Sequence, residues 1–91
     1  MKIRFYEIDR ERMGRGKLAG EAEYANGMTT IKTEDDKLRK LLTTPYTTLG
    51  KSTVTENTIS DGYVTYQPNT QQFLEILYME SWRFGYLAER E

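Results

Sequence analysis

The sequence predicts an α+β domain in which an antiparallel sheet of about five strands carries two helices on one face. Two dipeptides, Asn26-Gly27 and Asp61-Gly62, each separate two segments of β-type composition and favour hairpins. Two other segments combine a helix-start signal with apolar residues at helical spacing. The predicted order is strand, strand, strand, helix, strand, strand, helix, in one domain over residues 1–91.

The first three strands form a central strand followed by a hairpin. Lys2 to Asp9 carries apolar residues on both faces, which is typical of a strand with neighbours on both sides. Lys17 to Ala25 and Met28 to Lys32 flank Asn26-Gly27, which favours a two-residue type I′ turn. In that register Ala22 lies opposite Ile31, and Tyr24 lies opposite Thr29.

The second predicted hairpin joins Thr53 to Ser60 with Tyr63 to Gln67 through a type I′ turn at Asp61-Gly62. Its register sets Ile59 opposite Val64 and Asn57 opposite Tyr66. The Thr-rich segment before it, from Thr43 to Ser52, predicts an irregular connection that packs through Tyr46 and Leu49.

The first helix is predicted to begin with Thr33 as its N-cap. Three acidic residues follow in the first turn, where they interact favourably with the helix dipole: Glu34, Asp35 and Asp36. Capping explains these carboxylates better than a metal site does, because consecutive helical residues point in different directions. The apolar side of the helix contains Leu38, Leu41 and Leu42, and Pro45 follows its end.

The second helix has a capping-box start, with Asn69 as N-cap and Gln72 at the third helical position, and Gly85 is predicted to end it. The stretch from Phe73 to Leu87 is apolar on two opposite sides when wound as a helix. One stripe contains Phe73, Ile76, Leu77, Phe84 and Leu87, and the other contains Tyr78, Trp82 and Tyr86. Packing on one core needs only one such stripe, so the second stripe requires cover.

Two kinds of cover are open for this second stripe. If a partner covers it, either a second copy in a homodimer or another protein, the partner-binding residues are Tyr78, Met79, Trp82 and Tyr86. If the helix instead ends before Gly85, Tyr86 and Leu87 leave the helix and form an extended tail at the sheet edge. Tyr78 and Trp82 then tuck under the connection between the predicted first helix and second hairpin.

Composition removes several classes of function. The chain has no cysteine and no histidine, which excludes disulfides, thiolate nucleophiles, imidazole bases and ordinary zinc sites. Tyr, Lys and carboxylates remain for catalysis, but no pattern nominates catalytic residues, a metal site or a cofactor. The longest apolar run, Ile76 to Met79, is too short to span a membrane, and the charged start lacks an apolar signal region. We therefore expect a cytoplasmic protein that is not an enzyme.

A basic segment offers an alternative function. Arg10, Arg12, Arg15 and Lys17 lie within eight residues that also contain two glycines, and such a loop could contact a phosphate backbone. Glu7, Asp9 and Glu11 interleave with these cations, and the formal net charge of the chain is −1. The segment therefore has two interpretations, a nucleic-acid-binding loop and a solvated hairpin tip.

Two fragments of nucleotide-binding motifs lack the required context. Gly14 to Ala19 matches the dinucleotide-binding glycine string, and Gly50-Lys51-Ser52 matches the end of a phosphate-binding loop. Each is followed by a predicted strand, whereas both motifs need a helix N-terminus to hold phosphate.

Three segments together resemble the layout of small uncharacterised archaeal proteins of similar length: Asp36 to Pro45, Gln67 to Leu74, and Phe84 to Tyr86. The matching residues are caps, a helix stop and core positions, so the resemblance implies a fold and no activity. From the residues we expect a protein-interaction module that uses its C-terminal helix.

Overall fold

The computed structural model describes residues 1–49, 53–55, 58–60 and 62–91. For residues 53–55 and 58–60 it describes only the backbone. The described elements, in chain order, are β1 (Lys2–Asp9), β2 (Gly14–Ala25), β3 (Met28–Thr33), α1 (Asp36–Thr43), β4 (Tyr46–Leu49), β5 (Thr53–Thr55), β6 (Thr58–Ser60), β7 (Tyr63–Tyr66), α2 (Gln71–Glu80), a 3₁₀ segment (Ser81–Phe84) and β8 (Tyr86–Arg90). The α+β fold class is confirmed, with more strands than the five predicted.

The main sheet has four antiparallel strands in the order β3-β2-β1-β8. β1 lies between two neighbours, which agrees with the apolar residues on both of its faces. In the turn between β2 and β3, Asn26 and Gly27 have φ values of 55° and 75°, the signature of a type I′ turn. Ala22 pairs with Ile31 and Tyr24 with Thr29, so the first hairpin is confirmed in turn and register.

The core lies between one face of this sheet and the two helices. Ile3 and Phe5 alternate along β1 and are fully buried, and Ala22 lies opposite Ile3 on the same face. The helices complete the cluster with Leu38, Leu42, Phe73, Leu74 and Leu77, and Tyr86 joins it from β8. Both helices therefore cover one face of the sheet, as predicted.

Both helices start one or two residues later than predicted. Asp35, not Thr33, is the N-cap of α1 and accepts the Leu38 N–H. The Thr33 hydroxyl instead accepts the Asp35 N–H and donates to Ala19, so it anchors the approach to the helix. Thr70 caps α2 by accepting the Phe73 N–H.

Asn69, the residue predicted as N-cap of α2, has a different structural role. Its φ is 64°, and its side chain accepts the Thr29 N–H of β3 at 2.6 Å. Asn69 therefore ties the start of α2 to the first hairpin. The prediction of Asn69 as N-cap is wrong because this contact between distant segments takes its side-chain oxygen.

The predicted second hairpin is wrong in its pairing. β7 pairs with β4, so Tyr66 lies opposite Tyr46 and Val64 opposite Thr48. β5 pairs with β6, which places Ile59 opposite Val54. Asn57 and the Asp61 half of the predicted turn lie outside the described residues. We call these four strands the arm.

β7 pairs with β4, and not with the segment before Asp61-Gly62, because the β4–β7 pairing brings contacts that the local turn preference does not include. Tyr46 and Tyr66 both pack against the core at the base of the arm, and the hydroxyls of Thr47 and Thr65 lie 2.8 Å apart across it. The segment predicted as an irregular connection thus contains a strand. Tyr46 packs as predicted, but Leu49 is 61% exposed.

Gly27→Val should destabilise the fold by about 1 kcal/mol or more, because a β-branched residue is sterically disfavoured at positive φ. Thermal and denaturant melts measure this loss. The matched control is Asn26→Gly, which fits the same turn and should leave the midpoint nearly unchanged. Equal midpoints for wild type and Gly27→Val would contradict the turn assignment.

Leu77→Ala should cost about 2 to 5 kcal/mol of unfolding free energy, because Leu77 is fully buried and its truncation leaves a cavity. Met79 on the same helix is 68% exposed, so Met79→Ala should change stability by no more than about 0.5 kcal/mol. Denaturant titration of both variants compares the two positions. Similar losses at both would mean that the helix is oriented differently.

Candidate functional site

The end of the C-terminal helix decides which of its aromatic residues are exposed. α2 tightens into the 3₁₀ segment after Glu80, and Gly85 ends that segment with a φ of 87°. The Gly85 N–H donates to the carbonyl oxygens of Ser81 and Trp82. Glycine adopts this left-handed conformation without the steric cost that a side chain would add. The chain then enters β8, so Tyr86 leaves the helix.

Tyr86 does not lie on the exposed stripe predicted for it. Its side chain is only 3% exposed, its ring packs edge-on against Phe5 with centroids 6.4 Å apart, and its hydroxyl donates to Asp35 at 2.9 Å. The alternative in which Tyr86 and Leu87 extend along the sheet edge is confirmed in that part, because β8 pairs with β1. Its other part, in which Trp82 tucks under the connection, is wrong, because Trp82 remains 61% exposed. Tyr86 is therefore covered within its own chain.

Two residues of the predicted partner surface remain open to solvent. Met79 is 68% exposed and Trp82 is 61% exposed, whereas Tyr78 is partly buried against the core. Met79 and Trp82 are three residues apart, so they lie on the same side of the helix end. The Arg83 guanidinium lies 5.2 Å from the centroid of the Trp82 ring. We call Met79, Trp82 and Arg83 the helix-end surface.

The helix-end surface rests on packed side chains. The ring of Phe84 packs edge-on against Tyr46 of β4, with centroids 5.2 Å apart. The Glu80 carboxylate lies 3.6 Å from the Arg83 guanidinium, and its side chain is only 18% exposed. Burial, followed by the interaction with Glu80, raises the pKa of Tyr46. These contacts hold the 3₁₀ segment against the base of the arm, so Trp82 projects from a supported element.

A shallow groove of about 290 Å³ lies beside the same segment. Its apolar wall combines residues from the end of α1, β4 and the 3₁₀ segment, and two lysines add positive charge. The lining residues are Lys37, Lys40, Leu41, Thr44, Pro45, Tyr46 and Phe84. The Lys37 ammonium donates to the Phe84 carbonyl at 2.7 Å, which leaves Lys40 as the more available of the two.

Asp35 and Tyr86 form the most strongly perturbed titratable pair among the described residues. Burial acts to raise the pKa of Asp35, but hydrogen bonds from Tyr86 and from the N–H groups of Leu38 and Lys37 outweigh it, so the pKa lies below 3.8. Burial, then the Asp35 carboxylate, raises the pKa of Tyr86 far above 10.0. Tyr86 therefore keeps its proton near neutral pH and acts as a hydrogen-bond donor, so it is not suited to serve as a general base.

The acidic helix start has the capping role that the sequence predicts, although Asp35 supplies it. Asp35 Oδ1 accepts the Leu38 N–H at 3.1 Å, and Oδ2 accepts the Tyr86 hydroxyl. Within the described residues, no group of three or more Asp or Glu side chains is arranged to hold a metal ion.

In the basic segment, two arginines form ion pairs and the other two cationic side chains are exposed to solvent. Arg15 Nη1 donates to both carboxylate oxygens of Glu89 at 2.9 Å, and its guanidinium lies 4.8 Å from the Tyr6 ring centroid. Arg12 Nε lies 4.0 Å from the Asp9 carboxylate, and the side chains of Arg10 and Lys17 are exposed. A cation already paired with a carboxylate is less available to a phosphate, so this geometry adds no support to nucleic-acid binding.

No helix within the described ranges is long and apolar enough to cross a bilayer. Comparisons with protein-family models, with curated proteins and with solved structures gave no match. The interpretation of the surface therefore depends on its own geometry.

Sequence reasoning identified Trp82 and Met79 but missed the groove beside them. Phe84 and Tyr46 are separated by 38 positions, and their contact depends on how the arm returns to the helix end. The hydrogen bond between Tyr86 and Asp35 spans 51 positions, so the sequence does not predict it either. An acid at a helix start is explained by capping alone, so no local pattern indicated that a tyrosine hydroxyl shares it.

Asp35→Asn should reduce stability at neutral pH and lose this effect in acid. The pKa of Asp35 is lower in the folded chain than its ordinary 3.8, so ionised Asp35 favours folding above that pH. The contribution disappears as the pH falls through the lower folded value. Melting temperatures of wild type and variant, measured across this range, should therefore converge at low pH.

Asp36→Asn serves as the matched control, because Asp36 is a first-turn acid outside the bonds that Asp35 makes. It should show a smaller difference at neutral pH. A gap between wild type and Asp35→Asn that stays constant with pH would contradict the role of the Asp35 charge.

Proposed function

We propose that this protein is a small protein-interaction module that engages its partner through the helix-end surface. The partner is a second copy of the chain or another protein. The observation that carries this proposal is the exposure of Trp82: the only tryptophan of the chain leaves 61% of its surface in solvent, beside Met79 at 68%. Tryptophan, methionine and arginine are the residue types enriched in the buried cores of protein interfaces.

Burial of the Trp82 side chain in an interface would be energetically favourable. Burying an apolar side chain of this size contributes about 1.5 to 3 kcal/mol or more, and most of that gain is left unused at Trp82 in the single chain. Trp82 is also held in place, because Arg83 lies over its ring and Phe84 packs on Tyr46. A side chain already fixed before binding loses less entropy on association.

The adjacent groove suggests what the partner presents. Its wall of Leu41, Tyr46 and Phe84 suits an apolar side chain, and Lys40 suits a carboxylate close to that side chain. The proposed contact is therefore an apolar anchor with an acidic neighbour, placed next to a surface that covers Trp82.

Trp82→Ala should weaken partner binding by about thirtyfold or more, as expected when a central interface tryptophan is removed. Immobilised wild type and variant are compared by quantitative capture from an extract of the source cells, and sedimentation reports self-association. The variant should still melt cooperatively, because Trp82 is exposed in the single chain. In the captured complex, Trp82 fluorescence should shift to shorter wavelength and resist quenching by acrylamide.

Met28→Ala is the matched control. Met28 is 65% exposed on β3 and has no place in the helix-end surface, so its truncation should leave capture unchanged. Equal loss in both variants, or equal capture by wild type and Trp82→Ala without any change in mass, would contradict the proposal. Unfolding by Trp82→Ala would show that the tryptophan is structural.

A further inference from the structure

We infer that the arm of one chain pairs with the arm of a second copy, with β7 of each lying antiparallel to the other. The β4 and β7 strands of the two copies then form one sheet of four strands across a two-fold axis, in the order β4-β7-β7-β4. This surface is separate from the helix-end surface, so the inference is independent of the partner proposed there.

In the single chain, the arm has few contacts that would stabilise its strands. β4 and β7 form a two-stranded sheet that, among the described strands, is not hydrogen-bonded to the main sheet. A two-stranded sheet is marginally stable in water, and three or more strands or packing against other elements are needed. Tyr46 and Tyr66 supply such packing at the base, but further along Leu49 is 61%, Tyr63 78% and Val64 40% exposed.

Charge distinguishes the edges of the arm from those of the main sheet. The edge strand β3 carries Lys32, and the opposite edge strand β8 carries Glu89 and Arg90. Charged side chains of this kind discourage strands of other chains from pairing. The fourteen residues of β4, β5, β6 and β7 include no charged residue, whereas a chain with 30% charged residues would place about four there. The strands of the arm therefore lack the charged residues that protect the edges of the main sheet.

A second copy is the occupant that suits an uncharged edge. Across a two-fold axis each side chain meets the same or a nearby side chain of the copy, so a charged edge would oppose like charges. With the axis perpendicular to the sheet at Val64, that residue faces its own counterpart and Tyr63 faces Thr65. These β-branched and aromatic side chains form favourable cross-strand pairs.

β7 is the more open of the two strands. Tyr63, Val64 and Thr65 are exposed in succession along β7, whereas exposure alternates along β4. β4 also begins directly after Pro45, beside the groove and the 3₁₀ segment. A pairing through β7 leaves that region open.

Thr65→Lys tests the inference, because it adds a positive charge to the β7 edge close to its symmetry mate. Thr47→Lys is the matched control: it disrupts the same pair of threonine hydroxyls and adds the same charge, but on β4. Sedimentation equilibrium over a wide concentration range should show a dimer for wild type. Thr65→Lys should weaken that dimer by about tenfold, because it removes both symmetry-related Tyr63–Thr65 pairs and brings the two lysines close to each other, and Thr47→Lys should leave it nearly unchanged.

Tyr63→Lys provides a second edge variant in case Thr65→Lys does not fold, since Tyr63 is 78% exposed and contributes little to the single chain. It should also weaken the dimer. Trp82→Ala should leave the mass unchanged, and dimer formation should not alter acrylamide quenching of Trp82. These last two measurements separate arm pairing from self-association through the helix-end surface.

Several results would overturn the inference. A wild-type chain that remains a monomer at every concentration would do so, as would equal weakening by Thr65→Lys and Thr47→Lys. A mass that rises without reaching a limit would show open-ended edge pairing in place of a closed dimer. Dissociation by Trp82→Ala but not by the β7 variants would reject arm pairing and leave the function proposed for the helix-end surface intact.

Discussion

The hydrogen bond from the Tyr86 hydroxyl to the Asp35 carboxylate joins the last strand to the start of the first helix across 51 positions. It depends on Gly85, whose positive φ ends the 3₁₀ segment and turns the chain back along β1. If the helix continued through Gly85, β1 would become an edge strand and lose the cover that β8 supplies. Asp35 would keep its capping contact with Leu38 but lose the hydroxyl that helps to stabilise its charge. The helix stop therefore fixes the fourth strand, the aromatic contact with Phe5 and the exposure of Trp82 together.

Local signals in the sequence determined the parts of the fold that are formed by neighbouring residues. The Asn26-Gly27 turn and the register of its hairpin follow directly from positive φ at both positions and from the alternation of the flanking strands. The core residues Leu38, Phe73 and Leu77 follow from helical spacing. These predictions held because no distant contact competes with the local preference.

Two of the predictions that failed are ones in which a distant contact overrides a local one. Asp61-Gly62 has the same turn preference as Asn26-Gly27, yet β7 pairs with β4 and β6 with β5, so the predicted pairing of the two flanking strands is replaced. Asn69 is a good N-cap in isolation, but its side-chain oxygen accepts the Thr29 N–H of another strand. For the candidate site, Trp82 was identified from spacing alone. The groove beside it was not, because Tyr46 reaches Phe84 only through the fold of the arm.

The distribution of charge distinguishes the outer face of the main sheet from the two surfaces proposed to bind partners. On the outer face of the main sheet, the Glu21 carboxylate lies within 3.7 Å of both Lys2 and Arg4, and Arg15 binds Glu89 through both oxygens. Individual exposed ion pairs add little stability, but such a face stays hydrated and resists association.

The arm strands follow the opposite pattern, with apolar side chains exposed and no charged residue within the strands. The 3₁₀ segment also exposes an apolar side chain, Trp82, beside Arg83. The described residues form one core cluster, which the helices and the main sheet build. Apolar side chains beyond that cluster have no further cover within the described chain. The same limit on core size leaves Trp82 exposed and, among the described strands, leaves one edge of β7 without a neighbour. Both proposed associations would bury apolar surface that the described chain leaves in solvent.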